Sequence, residues 1–292
     1  MSEESPLVSI VTPSYNQAQF LEETILSVRN QDYPNVEYII IDGGSTDASV
    51  DIIRKYEDRL AYWVTEEDRG QAHAINKGFA RAHGEIFSWL NSDDFLLPGA
   101  VRHVVETQRR YPEAVAWVGG CYRIDPDGRI LSTVIPRGLG RDTLADWGYR
   151  GFFYQPSCFF AAHAWHEAGP LDENFHFALD LDLWLGLSGL GDFAAIPEII
   201  SAAVIHGDAK TQGQRLDMHA ETIAVQIRHG HQEMARYRLS RLVEKPSAVG
   251  RMWRVVLARL RHPARRRVSP NGGEWPQYVQ FPSSDSANRV AP

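Results

Sequence analysis

Two adjacent carboxylates carry the clearest chemical signal in this sequence. Asp93 and Asp94 directly follow an apolar stretch and the two polar residues at its end. Adjacent carboxylates repel each other unless a cation lies beside them, and Mg²⁺ and Mn²⁺ prefer oxygen ligands, diphosphate oxygens included. The pair therefore indicates a divalent-cation site. The alternative is an exposed turn ahead of a helix that begins near Pro98.

A second signal follows another apolar stretch, residues 36–41. Asp42 is succeeded there by Gly43, Gly44 and Ser45. Two glycines let a planar ligand approach the backbone closely, and Asp42 can accept a hydrogen bond from a base N–H or a ribose hydroxyl. A helix-capping turn explains the same residues equally well. This segment alone leaves both interpretations open.

These stretches belong to a regular alternation along the chain. Short apolar stretches predict strands, and stretches of 3.6-residue periodicity predict helices between them. The predicted strands are residues 7–11, 36–41, 61–64, 85–90 and 115–119, and the predicted helices are 20–29, 50–56, 71–82 and 98–111. This order predicts an α/β fold with a mostly parallel sheet flanked by helices.

Polar clusters follow four of the predicted strands. They lie at residues 12–16, 42–47, 66–70 and 91–94. Ligands of such sheets bind beyond the carboxyl ends of the strands, so we expect the four clusters to meet along one rim.

The pattern changes beyond residue 120. We expect a hairpin, a mobile loop, a helix, short strands and one long helix, in that order. These elements are predicted at residues 121–135, 138–150, 180–187, 193–203 and 213–239.

Composition limits the class of protein. The net charge is −7, and this acidic balance argues against general nucleic-acid binding. Cys121 and Cys158 have no metal-ligand spacing and cannot staple a chain of 292 residues, so a reducing cytosol is expected. The polar N-terminus predicts no signal peptide. No apolar stretch reaches the roughly 18 residues of a membrane-spanning helix.

Four blocks of sequence, taken together, resemble the family 2 glycosyltransferases of the GT-A fold. They span residues 8–16, 41–47, 67–78 and 90–94, in the order and spacing of that family, and the resemblance covers about residues 6–212. It implies a GT-A (Rossmann-like) α/β fold with a helical C-terminal extension. It also implies transfer of a sugar, with inversion, from a nucleoside-diphosphate donor to an acceptor hydroxyl.

The resemblance assigns roles on the donor side. The residues that it assigns to the nucleotide or donor sugar are Thr12, Pro13, Tyr15, Asp42, Asp68, Arg69, Gln71, Asn76, Lys77 and Asp93. Asp93 and Asp94 match the family's Asp-x-Asp position, with Asp94 preferred as the direct ligand of Mn²⁺ or Mg²⁺. His206 lies in a late segment where a histidine can approach the metal or diphosphate, although a lone histidine is usually structural.

The acceptor side is assigned in the same way. Residues 177–184 resemble the family's acidic motif, in which Asp180 matches the catalytic base and Asp182 is a helix-capping or structural acid. The sequence departs from the family at Leu179, where many relatives carry Glu, and at Gly186, where Arg is common. Gln155 and Trp184 are the expected acceptor contacts.

The resemblance to residue 212, and the pattern and composition of the residues beyond it, predict a domain organisation. A catalytic domain is expected at residues 1–212, with a nucleotide-sugar-binding part at 6–119 and an acceptor-side part at 120–212. A helical, basic extension would follow at 213–268, and a Pro/Ser/Asn-rich, disordered tail at 269–292.

The basic extension suggests a membrane contact. Residues 236–267 contain ten Arg and one Lys but a single acid, Glu244. The cationic, apolar-rich segment 250–267 could lie on an anionic membrane surface, and the alternative is a helix packed on the catalytic domain. The expected location is the cytoplasm, with peripheral contact at the inner face of the membrane.

The resulting hypothesis names a donor and an acceptor, and two other functions compete with it. The donor would be a nucleotide sugar, most commonly of UDP, and the acceptor a glycan or lipid-linked sugar of the cell surface. A nucleotidyltransferase would need a cationic loop after the first strand, which residues 13–17 do not supply. A non-catalytic nucleotide-sugar-binding protein is the alternative, and the joint presence of Asp93, Asp94 and Asp180 argues against it.

Overall fold

The computed structural model describes residues 5–207 and 215–243. The strands are β1 (Val8–Ser14), β2 (Val36–Asp42), β3 (Tyr62–Thr65), β4 (Ile86–Trp89), β5 (Asp94–Leu96), β6 (Ala116–Ile124), β7 (Ile130–Val134), β8 (Cys158–Ala161) and β9 (Phe193–Val204). The α-helices are α1 (Ala18–Arg29), α2 (Ser49–Lys55), α3 (Gln71–Phe79), α4 (Ala100–Arg110), α5 (Arg141–Leu144), α6 (Ala162–Ala168), α7 (Leu179–Leu187), α8 (Arg215–Arg228) and α9 (Gln232–Val243).

The nine strands of the described residues belong to one sheet, in the order β3-β2-β1-β4-β8-β6-β9-β5, with β7 paired to β6. The first four strands in this order are parallel to one another, as the alternation of strands and helices predicts. β8 joins them in antiparallel orientation, and β6 and β9 run parallel. The predicted α/β sheet flanked by helices is confirmed.

The register of the parallel strands brings their carboxyl ends to one rim, as the polar clusters predict. Ser14 at the end of β1 is paired with Asp42 at the end of β2, and Asp42 is in turn paired with Thr65 of β3. Val11 is paired with Trp89 at the end of β4. The four polar clusters therefore lie at the ends of neighbouring strands.

The core lies between this sheet and its helices. Every residue of β1 is buried, because both faces of the strand are covered. On α3, a Cβ at Gly78 would lie 2.3 Å from Val11 Cγ1, so glycine is needed for the close approach of α3 to β1. In the same core, Trp89 of β4 and Trp184 of α7 stack with 5.4 Å between ring centroids.

Several elements differ from the sequence-based expectation. β9 is one continuous strand where short strands are predicted, because it pairs along its length with β6. The predicted helix 213–239 is interrupted at Gly230, whose φ of +83° is left-handed and ends a helix readily. The loop at 138–150 includes the short helix α5.

Some expectations fall outside the described residues. They concern the domain boundary at residue 212, the basic segment 250–267 and the tail 269–292, and these stay predictions. Within the described part of the chain, no helix has both the length and the apolar character that crossing a membrane requires.

Candidate active site

The loops after β1 and β2 are locked together by side-chain caps. Asn16, at φ +51°, accepts a hydrogen bond from the Thr46 N–H (2.8 Å), and its own N–H donates to the Ser45 hydroxyl (2.8 Å). Asp47 accepts from the Ala18 N–H (3.0 Å), at the start of α1, and from the Ser49 N–H (3.0 Å), at the start of α2. The two loops thus form one rigid edge of the site.

Asp42 lies inside this edge and is fully buried. Oδ1 accepts hydrogen bonds from the Gly44 N–H (3.1 Å), the Ser45 N–H (2.8 Å) and the Thr65 hydroxyl (2.8 Å). Oδ2 accepts one from the Ser45 hydroxyl (2.6 Å). These contacts form a tight turn and do not cap a helix, because α2 begins only at Ser49. The nucleoside contact of Asp42 stays a prediction.

Residues 12–15 differ sharply in exposure. Thr12 and Pro13 are buried in β1, and the Thr12 hydroxyl shares a hydrogen bond with the Tyr38 hydroxyl (3.0 Å). Tyr15 is 61% exposed and is the ring of this group that solvent and a ligand can reach.

The loop after β3 packs on the loop after β2. Asp68 accepts a hydrogen bond from the Gly70 N–H (2.7 Å), and a Cβ at Gly43 would lie 2.6 Å from Asp68 Oδ2. Gly43, in the second of the four blocks that resemble the family, therefore leaves room for the Asp68 carboxylate of the third block. Sequence spacing alone does not reveal this contact.

Three residues assigned to the donor have protein partners. Arg69 donates to Glu173 from both Nε (2.7 Å) and Nη2 (3.1 Å), across to the segment before α7. Asn76 exchanges two hydrogen bonds of 2.9 Å with the backbone of Leu171. Lys77 forms an ion pair with Glu66 (2.5 Å). Through its bonds to Leu171, Asn76 links the donor half of the fold to the acceptor half.

A hydrogen-bonded chain of amides leads to the aspartate pair. Gln71 Nε2 donates to Asn91 Oδ1 (2.7 Å), and Asn91 Nδ2 donates to Asp94 Oδ2 (3.0 Å) and to Gln155 Oε1 (3.3 Å). Gln155 Nε2 in turn donates to the Trp89 carbonyl (2.7 Å). Asn91 stands at the centre of this chain, although the sequence marks it only as part of a motif. The chain also places Gln155, an expected acceptor contact, beside the aspartate pair.

Asp94 begins β5, where a loop is expected. The residue is 6% exposed, and burial together with the charge of Asp93 holds the pKa of its carboxyl well above the usual range. The Thr24 hydroxyl supports the turn from below, 3.0 Å from the Ser92 carbonyl and 2.9 Å from that of Asp94. A buried carboxylate beside a second one is an arrangement that a cation would relieve.

The structure brings His206 to Asp93. His206 Nε2 lies 2.9 Å from Asp93 Oδ2, while its buried Nδ1 has no hydrogen-bond partner among the described residues. The ring packs against Phe20, with 4.9 Å between centroids. His206 thus contacts one carboxylate of the pair, and a histidine in such a position can orient an acid that binds a cation.

Residues 5–207 and 215–243 contain no group of three or more His, Cys, Asp or Glu with the geometry of a metal site. Mg²⁺ in phosphoryl and diphosphate sites is commonly held by only one or two carboxylates, with substrate phosphates and waters as the other ligands. Asp93 and Asp94 meet that smaller requirement.

Asp180 is the second residue of α7 and is partly buried. Burial raises the pKa of its carboxyl to about 6, and the negative charge of Glu221 acts in the same direction. The Leu181 N–H donates to Oδ1 (2.7 Å) and opposes the shift. A carboxylate with this pKa is ionised near neutral pH and still basic enough to take a proton.

Two further acceptor-side residues have structural roles. Trp184 has no exposed surface and stacks on Trp89, so this indole belongs to the core and we no longer expect it to contact an acceptor. Asp182 receives hydrogen bonds from Arg228 and pairs with His229, both at 2.9 Å. The partners of Asp182 thus come from α8 and from the residue after it, whereas position 186, where relatives carry Arg, is a glycine.

A small cleft lies between the two halves of the site. It is lined on one side by Arg69 and Gln71 of the donor half, and on the other by Phe175, His176 and Leu179, directly before Asp180. Gln71 thus faces the cleft and also begins the amide chain to Asp94. The cleft connects residues assigned to the donor with the segment that carries the expected base.

Comparison with known proteins identifies the family. The model of Glycosyl transferase family 2 matches residues 9–168. Chondroitin synthase of Escherichia coli is 29% identical over 220 residues, which cover 74% of this chain and 31% of that protein. Alignments with three other curated relatives cover 27–31% of those proteins, so the chain spans only part of the length of several relatives.

Two solved structures are similar in fold. TarS of S. aureus in complex with UDP-GlcNAc is 14% identical at a TM-score of 0.62 and aligns over 76% of this chain and 66% of its own. Mannosyltransferase PcManGT of Pyrobaculum calidifontis, in complex with GDP-Man and Mn²⁺, is 20% identical at a TM-score of 0.59 and aligns over 88% and 81%. Since the family model covers more than half of the sequence, this chain, which has the GT-A fold, belongs to glycosyl transferase family 2.

Proposed function

We propose that the protein is a metal-dependent, inverting glycosyltransferase that moves a sugar from a nucleoside-diphosphate donor to an acceptor hydroxyl. The observation that carries this proposal is the small cleft between Gln71 and Leu179 together with the hydrogen bonds that lead from it to Asp94. From it, the amide chain through Asn91 leads to the buried Asp94, and Asp180 follows Leu179 directly. A cation site and a base would thus serve one cleft.

The donor end would be held by the aspartate pair. Asp94 would be the direct ligand of Mn²⁺ or Mg²⁺, with Asp93 orienting the diphosphate and His206 completing the site. When bound, the cation neutralises the negative charge of the nucleoside-diphosphate leaving group. The carboxylates can hold a divalent ion because the diphosphate supplies further oxygen ligands.

The acceptor end would depend on Asp180. Its carboxylate accepts the proton of the acceptor hydroxyl while that oxygen forms a bond to the anomeric carbon and the diphosphate oxygen leaves with the bonding electrons. A single displacement from the opposite face inverts the anomeric configuration, by the geometry that governs inverting glycosidases. The raised pKa of Asp180, about 6, suits this task.

UDP is our first choice of carrier, because TarS is a fold neighbour in complex with UDP-GlcNAc. Tyr15, Asp42 and Asp68 would contact the nucleotide, and Arg69 the donor side of the cleft. The likeness to chondroitin synthase supports a glycan acceptor in cell-surface polysaccharide synthesis. Peripheral contact with the inner face of the membrane through residues 250–267 is part of the same proposal.

A product analysis tests the proposal. The full-length protein would be incubated with UDP-sugars and glycan acceptors, with Mn²⁺ or with EDTA, and the new linkage examined by NMR coupling constants. We expect transfer only with the cation, and a β-linked product from an α-linked donor. Donor binding without turnover on any acceptor would favour the non-catalytic alternative, and an α-linked product would contradict inversion.

A further inference from the structure

Glu221, on α8, binds the backbone immediately before the helix that carries Asp180. Its Oε2 accepts hydrogen bonds from three successive N–H groups: those of His176 (3.0 Å), Phe177 (2.6 Å) and Ala178 (3.0 Å). Successive N–H groups that converge on one carboxylate form an anion-binding nest, and such charge-assisted hydrogen bonds are stronger than neutral ones. One side chain of α8 therefore holds the turn that leads into α7.

A second set of contacts ties α8 to the same segment. Arg228 donates to Asp182 (2.9 Å) on α7 and to Asp172 (2.6 Å) before it. Its guanidinium also lies 4.7 Å from the ring centroid of Phe175. Asp180 lies in sequence between these anchoring points, so α8 holds the chain on both sides of it.

We propose that Glu221 is a positioning residue of the transfer reaction, which orients Asp180 towards the acceptor hydroxyl by fixing the backbone of residues 176–178. This inference rests on the proposed role of Asp180 as base. Glu221 acts through the backbone and does not touch the reacting atoms. A displacement of about 1 Å in a group that takes part in the chemistry can cost roughly 100-fold in rate.

The charge of Glu221 gives the inference a signature that a purely structural role lacks. Two titratable groups on other elements interact with Asp180: Glu221, from α8, and the buried thiol of Cys158, from β8. Asp182, on α7 itself, is paired with Arg228 and His229. Removing the negative charge of Glu221 should therefore lower the pKa of Asp180.

The test compares Glu221→Ala and Glu221→Gln with the wild-type protein. Asp217→Asn is the matched control, because Asp217 is an exposed acid of the same helix. Glu221→Gln keeps an acceptor oxygen for the turn and loses the charge, so it should remain folded. The measurements are kcat for transfer, KM for the UDP-sugar, and the pH dependence of kcat.

We expect kcat to fall roughly 10–100-fold in Glu221→Ala while donor KM stays within about twofold. In Glu221→Gln the acid limb of the kcat profile should move to lower pH, and Asp217→Asn should match the wild type. A wild-type kcat and profile in both Glu221 variants would overturn the inference, as would losses of donor affinity that parallel the loss of kcat. No transfer by the wild-type protein would instead overturn the proposed function.

Discussion

His206 Nε2 lies 2.9 Å from Asp93 Oδ2, although 113 residues separate the two in sequence. The contact arises because β5, which begins at Asp94, pairs with the end of β9, where Asp94 is opposite Ala203. The pairing of β9 with β5 thus brings His206, which follows β9, to the aspartate pair, which precedes and begins β5. Nε2 therefore contacts one acid of the pair, while Nδ1 is buried and has no hydrogen-bond partner among the described residues.

We predict that His206→Ala weakens binding of the cation. A histidine that contacts a ligating acid tunes and orients it, and loss of such a partner typically reduces metal affinity 10–100-fold. The Mn²⁺ concentration for half-maximal transfer should rise about 10-fold, with a smaller change in kcat at saturating Mn²⁺. His103→Ala is the control, since this histidine contacts Glu106 and Glu198 on α4 and β9. An unchanged Mn²⁺ requirement in His206→Ala would remove this histidine from the site.

The rate of transfer should follow the ionisation of Asp180. Because the base must be a carboxylate, kcat should rise with pH and reach a plateau above the midpoint of about 6. Asp180→Asn should lose roughly 100- to 10,000-fold in kcat and retain donor binding. A flat kcat profile between pH 5 and 8 in the wild type would exclude Asp180 as the titrating base.

Asp180 should also affect stability, with a defined sign. Its pKa in the folded protein, about 6, lies above the ordinary value of 3.8 for an aspartate, so folding favours the protonated form. Its contribution to the free energy of unfolding is therefore largest below pH 4 and is lost as the pH rises through about 6. Asp180→Asn should raise the free energy of unfolding at pH 7 by about 2–3 kcal/mol and change it little at pH 4. Urea denaturation at both pH values measures this difference, and equal effects would contradict it.

Thr24 should stabilise the turn that presents Asp94. Its buried hydroxyl lies within hydrogen-bonding distance of the Ser92 and Asp94 carbonyls and has one proton to donate, and valine would remove this donor. Thr24→Val should lower the free energy of unfolding by about 1–3 kcal/mol. Thr107→Val is the matched control, because the Thr107 hydroxyl donates within its own helix, to His103. Equal losses in the two variants would contradict a special role for Thr24.

Gly43→Ala should affect donor binding more than folding. The new Cβ would meet Asp68 Oδ2 at 2.6 Å, and this atom ends a side chain that can move aside. Displacing Asp68 should raise the donor KM several-fold, with a change in unfolding free energy below about 1 kcal/mol. Gly140→Ala is the control, since its nearest neighbour is 3.7 Å away. A normal donor KM would show that Asp68 does not bind the donor.

The sequence predicts the parallel half of the sheet and its rim well, because each strand there is a short apolar stretch that ends in polar residues. It does not predict that Asp94 begins a strand, since β5 has three residues and exists only through its pairing with β9. The N-terminal α/β half is local in sequence, whereas the later strands depend on long-range pairing.

Side-chain partners are the part of the site that sequence reasoning misses. Residues 179–187 are almost all apolar and show no amphipathic face, so nothing in their pattern tells that Trp184 is buried on Trp89. The roles of Asn91 and Glu221 likewise come from contacts with residues 64 and 43 to 45 positions away. Such contacts follow from tertiary packing, which local periodicity does not encode.

The most direct test of the account separates its two acids by calorimetry and transfer kinetics. UDP would be titrated, in the presence of Mn²⁺, into the wild-type protein, Asp94→Asn and Asp180→Asn. Transfer would be measured on the same samples. We predict that Asp94→Asn loses Mn²⁺-dependent binding of UDP, whereas Asp180→Asn binds UDP like the wild type and loses transfer. Wild-type UDP binding by Asp94→Asn, or undiminished transfer by Asp180→Asn, would contradict the account.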